Sequence, residues 1–144
     1  PIAPVVYFGG VFVLLGHYYG IILMENVKGT PLSYKYMEIL PVEDLVEIHT
    51  QISEFLRLIH ELNIAHNDLH TTNIIIQRKN DKPVIKVIDW GLGSPIDVSP
   101  FWLSKERRAS LPLNRQIDEV GYRFLSEISA LINARRPESN CIIN

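Results

Sequence analysis

The residues of this chain whose types and spacing could do chemistry lie between His66 and Gly91. The stretch opens His66-Asn67-Asp68-Leu69-His70-Thr71-Thr72-Asn73 and runs into Ile74-Ile75-Ile76. After a polar turn it resumes as Val84-Ile85-Lys86-Val87-Ile88-Asp89-Trp90-Gly91. Asp68, Asn73 and Asp89 are an acid, an amide and an acid, each beside a short apolar run. Two strands joined by a turn over Gln77–Pro83 would bring both ends of the stretch to one edge. Hard oxygen donors gathered there suit a magnesium ion bound to phosphate. A carboxylate beside them suits a weakly nucleophilic hydroxyl that must be oriented and relieved of its proton. The bland alternative is a β-hairpin with chance polar residues.

His-x-Asp-Leu-x-x-x-Asn followed by Asp-x-Gly resembles the catalytic loop and metal-binding turn of the protein kinase-like superfamily. His66, Asp68, Leu69, Asn73, Asp89 and Gly91 match position by position, and Trp90 stands where protein kinases usually have Phe. Asn67 replaces the usual Arg, which often holds activation-loop phosphates, so control by a phosphorylated loop is not expected. His70 replaces the usual Lys. The Asp-Leu-His form is more similar to the aminoglycoside and choline kinases, whereas Thr71-Thr72 leans toward the compact Bud32/RIO type.

The resemblance implies ATP and Mg²⁺ as cofactors, Asp68 as the catalytic base, and Asn73 and Asp89 as metal ligands. It leaves His70 either at the γ-phosphate or facing solvent. It makes His66 and Gly91 structural supports, Met24 the gatekeeper, and the backbones of Glu25 and Val27 the adenine contacts; the plain alternative for Met24–Val27 is a strand end. Asp118 either caps the last helix or hydrogen-bonds the catalytic-loop backbone. The implied activity is Mg-ATP-dependent phosphate transfer to an alcohol, with a serine/threonine protein kinase as the first reading. A small-molecule kinase and a non-catalytic kinase-like binding module are the alternatives. The expected partners are ATP and a protein or small-molecule acceptor.

The elements around these residues point to an α+β, protein kinase-like fold in partial form. Residues 1–27 read as the end of the small-lobe strands and the hinge. Residues 28–144 read as a truncated, mostly helical large lobe with a catalytic β-hairpin. Residues 5–15 and 18–25 form an apolar strand pair turning at Gly16-His17, expected to be covered by other protein. Their length permits a membrane span, but Gly9, Gly10, Gly16 and Gly20 and the β-branched and aromatic bias argue for strands. Residues 33–40 say little beyond a short helix. From Glu43 to Leu62 the apolar residues Leu45, Ile48, Ile52, Phe55, Ile59 and Leu62 recur at helical spacing, with Asn63 as a left-handed stop and His49 and His60 at the surface or boundary. A last helix over Gln116–Ala134 buries Ile117, Val120, Phe124, Ile128 and Leu131.

Residues 92–115 match an activation segment by position only, and Arg107-Arg108-Ala109-Ser110-Leu111 resembles a site for basic-directed serine kinases. No Gly-rich phosphate loop, strand lysine or partner helix glutamate is present. The chain therefore reads as a fragment or a reduced kinase, weak in isolation, whose first strands meet a partner or a further lobe. A net charge of −2 argues against a dedicated nucleic-acid binder. Cys141 is the only cysteine, which excludes a disulfide framework and a cysteine zinc site. A cytoplasmic location is expected, with no membrane attachment.

Overall fold

The structure, a computed structural model, describes residues 2–96 and 118–136. Most of the activation-segment match, the Arg107–Leu111 motif, Gln116, Ile117 and the tail with Cys141 lie outside the described residues.

The longest helix organises the core. α1 (Tyr34–Ile39) is short; α2 (Val42–Glu61) follows, with Glu43 and Asp44 in its first turn, where the helix dipole favours negative charge. Leu45, Ile48, Ile52, Phe55 and Ile59 are buried along one stripe of α2, as their spacing predicts, and Leu56 joins them. Leu62 falls just past the helix and is exposed, because Asn63 turns the chain with a left-handed φ of 62°. The short helix α1 exists because Ser33 caps it, its Oγ accepting from Tyr36 N at 3.1 Å.

α2 packs on a three-stranded antiparallel sheet of β3 (Thr30–Pro31), β5 (Ile74–Lys79) and β6 (Lys82–Val87), in the order β3-β5-β6. Ile74 pairs with Val87 and Ile76 with Ile85, and all four are buried. The β5–β6 turn is tighter than expected: only Asn80 and Asp81 lie outside the strands, both with positive φ (51° and 61°). Asn and Asp tolerate that conformation, and a two-residue turn of this hand matches strand twist. The edge of β6 is covered from α2, where Gln51 accepts from Ile85 N (3.0 Å) and donates to Pro83 O (2.9 Å). A two-residue pair, β4 (Ile64–Ala65) with β7 (Ser94–Pro95), joins the end of α2 to the segment after Gly91. α3 (Glu119–Arg135) closes the core against α2. Its buried face is turned from the expected stripe: Gly121, Leu125 and Ile132 are buried with Phe124 and Ile128, while Val120 and Leu131 are half-buried.

β1 (Val6–Leu14) and β2 (His17–Met24) form a separate antiparallel hairpin, turning at Leu15-Gly16, one residue earlier than the sequence suggests. Both faces of this hairpin are open within the described residues. Val11 is 72% exposed and Ile22 63%, because no described element packs over either face. No helix among the described residues is long and apolar enough to cross a membrane.

At Gly29, φ is 146°, and a Cβ would come within 2.5 Å of Ile76 O and 2.6 Å of Ile75 Cγ2. Only glycine lets β3 approach β5 at this distance. Gly29→Ala is expected to lower unfolding stability by about 2–4 kcal/mol, read as a shift of the urea midpoint. An unchanged midpoint would show that β3 is not held as described.

Candidate active site

The loop between β4 and β5 is fixed from below by Asp118, at the start of α3. Asp118 is 1% exposed, and its carboxylate accepts His66 N (3.0 Å), the neighbouring Asn67 N, and His60 Nε2–H (2.8 Å). It makes no side-chain cap bond to its own helix. Of the two roles left open by the sequence, the geometry matches the one at the loop backbone. His60 lies at the boundary, as its place on the helix suggests, and from there its side chain ties the end of α2 to this carboxylate. A charge buried this completely is stable only with several donors around it.

His66 props the loop against the turn after β6. Its Nε2–H donates to Ile88 O (3.1 Å), and Nδ1 accepts from Asp68 N (3.3 Å). Those partners require the neutral imidazole. Burial holds its pKa below the ordinary value, against the weaker opposing effects of the Ile88 carbonyl and the Asp118, Asp68 and Asp89 charges. His66, Phe55 and Trp90 form an aromatic cluster, with ring centroids 4.7 Å apart for His66–Trp90 and 5.7 Å for Phe55–Trp90. Trp90 also donates Nε1–H to Val87 O (3.4 Å). The larger ring in place of Phe thus fastens the Asp-x-Gly turn to α2 and to the loop.

Asp68, Asn73 and Asp89 meet at the open end of the β5–β6 hairpin. Asn73 Nδ2 donates to Asp68 O (2.8 Å) and Asp68 Oδ2 (3.0 Å), which leaves its Oδ1 as an oxygen donor. Ile88 N donates to Asn73 O (2.9 Å), so the backbone carrying Asp89 is pinned beside Asn73. Asp89 itself has a φ of 58°, and its Oδ1 accepts from Gly91 N (3.3 Å). A Cβ at Gly91 would stand 3.2 Å from that same oxygen. His70 does not simply face solvent. Its Nε2 lies 3.3 Å from Asp68 Oδ1, while Nδ1 accepts from Thr72 N (3.4 Å) and Thr72 Oγ1 (3.2 Å), capping the 3₁₀ turn Thr71–Asn73. Among the described residues no group of three or more His, Cys, Asp or Glu could hold a metal ion. One amide oxygen and one carboxylate fit the habit of Mg²⁺, which takes few protein ligands and completes its shell with water and phosphate.

A cleft of about 790 Å³ opens beside these groups. Met24, Glu25 and Val27 line it, with Val6, Ile22, Asn26, Ile88, Asp89, Trp90 and Gly91, and with Ala3 and Pro4, which carry no chemical signal in the sequence. Glu25 N is already committed to Val5 O (2.8 Å), so of the Glu25 backbone only the carbonyl faces an unclaimed role. Its side chain accepts from Val5 N (3.1 Å) and stands 3.8 Å from Lys86 Nζ, joining the strand end to β6. Nothing local marks His60 or the Glu25 side chain, because Asp118 lies 58 positions from His60, and Val5 and Lys86 lie on other segments than Glu25.

A mixed α/β core, a pinned acid-amide-acid set and a cleft lined by a strand end define the class: this is a kinase fold. The protein kinase domain model matches residues 4–107, and the chain belongs to that family. It is 32% identical over 111 residues to the serine/threonine-protein kinase Nek4 of Mus musculus, covering 67% of this chain and 14% of that protein. It is likewise 32% identical over 77 residues to the serine/threonine-protein kinase Pkn1 of Myxococcus xanthus, with 53% and 11% covered. The KEOPS complex subunit Bud32 of Pyrococcus abyssi matches at 32% over 72 residues, with 50% and 30% covered. The chain thus spans under a third of each of these relatives. Among solved structures, the Cydia pomonella granulovirus kinase PK-1 superposes with a TM-score of 0.60 at 18% identity, covering 95% of this chain and 57% of that one.

Because the folded His66 takes up a proton less readily than the unfolded chain does, its contribution to stability is full above about pH 6.5 and is lost as the pH falls through the lower folded value. His49, also lowered by burial, adds with the same sign. Stability should therefore fall as the pH drops below about 6.5, and His66→Gln should flatten that slope even as it lowers the plateau. Denaturant titrations at several pH values, without metal, read this directly; equal slopes in both proteins would show that His66 is not held neutral.

Proposed function

We propose that the protein is a Mg-ATP-dependent phosphotransferase acting on a serine or threonine hydroxyl of a protein. The observation that carries this reading is the convergence of Asp68, Asn73 and Asp89 at one end of a buried hairpin, next to an apolar cleft of nucleotide size. In this reading Asp68 orients the acceptor hydroxyl and takes its proton late. The Asn73 amide holds the Asp68 carboxylate in place while its own oxygen, with Asp89, faces the metal. The Glu25 carbonyl and Val27 N–H meet the adenine edge, with Met24 behind it. Magnesium, when bound, supplies charge neutralisation across the phosphates. His66, Gly91 and Asp118 hold the frame, and His70 steadies the second oxygen of Asp68. The acceptor class is supported by the two relatives named serine/threonine-protein kinases. A small-molecule kinase of the aminoglycoside or choline type is the second reading, favoured by His70 where protein kinases carry lysine.

The sequence holds no Gly-rich loop and no strand lysine to complement charge on the transferred phosphate. Each such contact is worth a few kcal/mol of barrier, about 10²–10³ in rate. Transfer by these 144 residues alone is therefore expected to be slow. Nucleotide binding is the cleaner test. Calorimetry should show ATP binding that tightens with Mg²⁺ in the wild type, and Asp89→Asn should remove at least about tenfold of that metal-dependent gain. ATP binding that ignores both Mg²⁺ and the substitution would sink the metal assignment and leave the binding-module reading.

A further inference from the structure

Asn67 stands where the resembling family carries arginine, and nothing in the proposed chemistry uses its side chain. The structure nevertheless gives that side chain two partners. Nδ2 donates to Leu92 O (3.0 Å) and to Ser94 Oγ (2.9 Å), both on the segment that leaves the Asp-x-Gly turn. The residue is 8% exposed, its φ is 66°, and its own N–H is held by Asp118. The same segment is held at three further points: Ala65 pairs with Ser94, Ile64 with Pro95, and Ile96 N donates to Asn63 O (3.1 Å). Asn67 lies at the inner end of this row, closest in sequence to Asp68. Among the described residues it is the place where a side chain, not backbone pairing, holds residues 92–94.

We propose that Asn67 is a positioning residue, an uncharged clamp that sets the path of residues 92–94 and through them the Asp89 turn, so that this segment is ordered without any phosphate on it. The inference rests on the Mg-nucleotide reading for its functional consequence, but not for the clamp itself. The chemistry suits the task. An amide has two N–H donors in one plane, enough to serve a carbonyl and a hydroxyl together. Asparagine is also among the few residues that accept a left-handed backbone at low cost. An arginine at this place would bring a charge with no anion among its present partners; the neutral amide satisfies the same acceptors with no counter-ion.

Two substitutions keep the left-handed backbone and remove the donors: Asn67→Gly and Asn67→Asp. Ser94→Ala removes one acceptor only and serves should either of them fail to fold. The first readout is amide hydrogen exchange at residues 92–96 of the full chain, without nucleotide. The clamp predicts exchange faster by about tenfold in both Asn67 variants and less in Ser94→Ala, with helix α2 unchanged. The second readout is calorimetry with ATP. The Mg²⁺-dependent part of the affinity should fall about tenfold in the Asn67 variants, while metal-free binding stays as in the wild type. Unchanged exchange at 92–96 would overturn the proposal. Faster exchange in a wild-type background that shows no Mg²⁺-dependent binding would uphold the clamp and overturn the nucleotide reading instead. Faster exchange with full metal-dependent binding would overturn the link between the clamp and the Asp89 turn.

Discussion

The buried carboxylate of Asp118 is the constraint on which the loop that carries Asp68 depends. Three N–H groups converge on it, from His66, Asn67 and His60, and they come from two different parts of the chain. Hydrogen bonds to a charged group are individually stronger than neutral ones, each contributing about 1.5–3 kcal/mol. The converse matters more: without these donors the carboxylate would be intolerable at that depth. The loop is therefore not merely allowed its conformation. It is required to present two consecutive backbone N–H groups to that carboxylate, which turns Asn67 into the left-handed region just before Asp68. The anchor itself is bent to the task, since Asp118 also has a positive φ of 52° and gives up capping its own helix.

From that anchor the geometry passes outward through neutral contacts. His66 can hold both Asp68 N and Ile88 O only as an unprotonated ring, and its burial between Phe55 and Trp90 enforces that state. Ile88 N in turn holds Asn73 O, and Asn73 holds Asp68. The chain of bonds closes on itself: loop to turn, turn to strand start, strand start back to loop. A closed circuit of this kind keeps Asp68 and Asp89 at fixed separation without a direct contact between two like charges, which would repel in the absence of a cation.

Most of the site could be read from the sequence because its members lie within one stretch. His66 to Gly91 is a loop, a hairpin and a turn, and pairing the two strands is enough to bring Asn73 and Asp89 to one end. The α2 stripe was equally plain, since helical spacing is local. What escaped were mostly interactions set by packing between distant segments, the contact of Asp118 with the loop backbone being the exception. His60 looks like a boundary residue on its helix until α3 supplies Asp118. The buried face of α3 was misjudged because Val120 and Leu131 are as apolar as Leu125 and Ile132, and only the neighbouring Leu56 and Leu69, against which Gly121 sits closely, decide the rotation. The β5–β6 turn is shorter than its composition suggests, because the backbones of Gln77–Lys79 and Lys82–Pro83 complete the ladder although most of their side chains are polar.

The two sheets are unequal in a way that bears on the cleft. β5 and β6 are buried against α2 and carry Asn73 and Asp89 at their ends. β1 and β2 contribute Val6, Ile22 and Met24 to the cleft from a hairpin whose side chains are largely exposed. Local stability follows buried apolar contact, so the Asn73–Asp89 side of the cleft belongs to the cooperative core while the apolar wall belongs to a segment that opens at lower cost. Two ties run from the wall to the core: Lys86 to Glu25 at 3.8 Å, and the extended N-terminal residues, where Ile2 O accepts from Val87 N at 2.9 Å. Under the proposed reading, the geometry of phosphate transfer is then set by the core, and the affinity for the base by how firmly those two ties hold the hairpin over it.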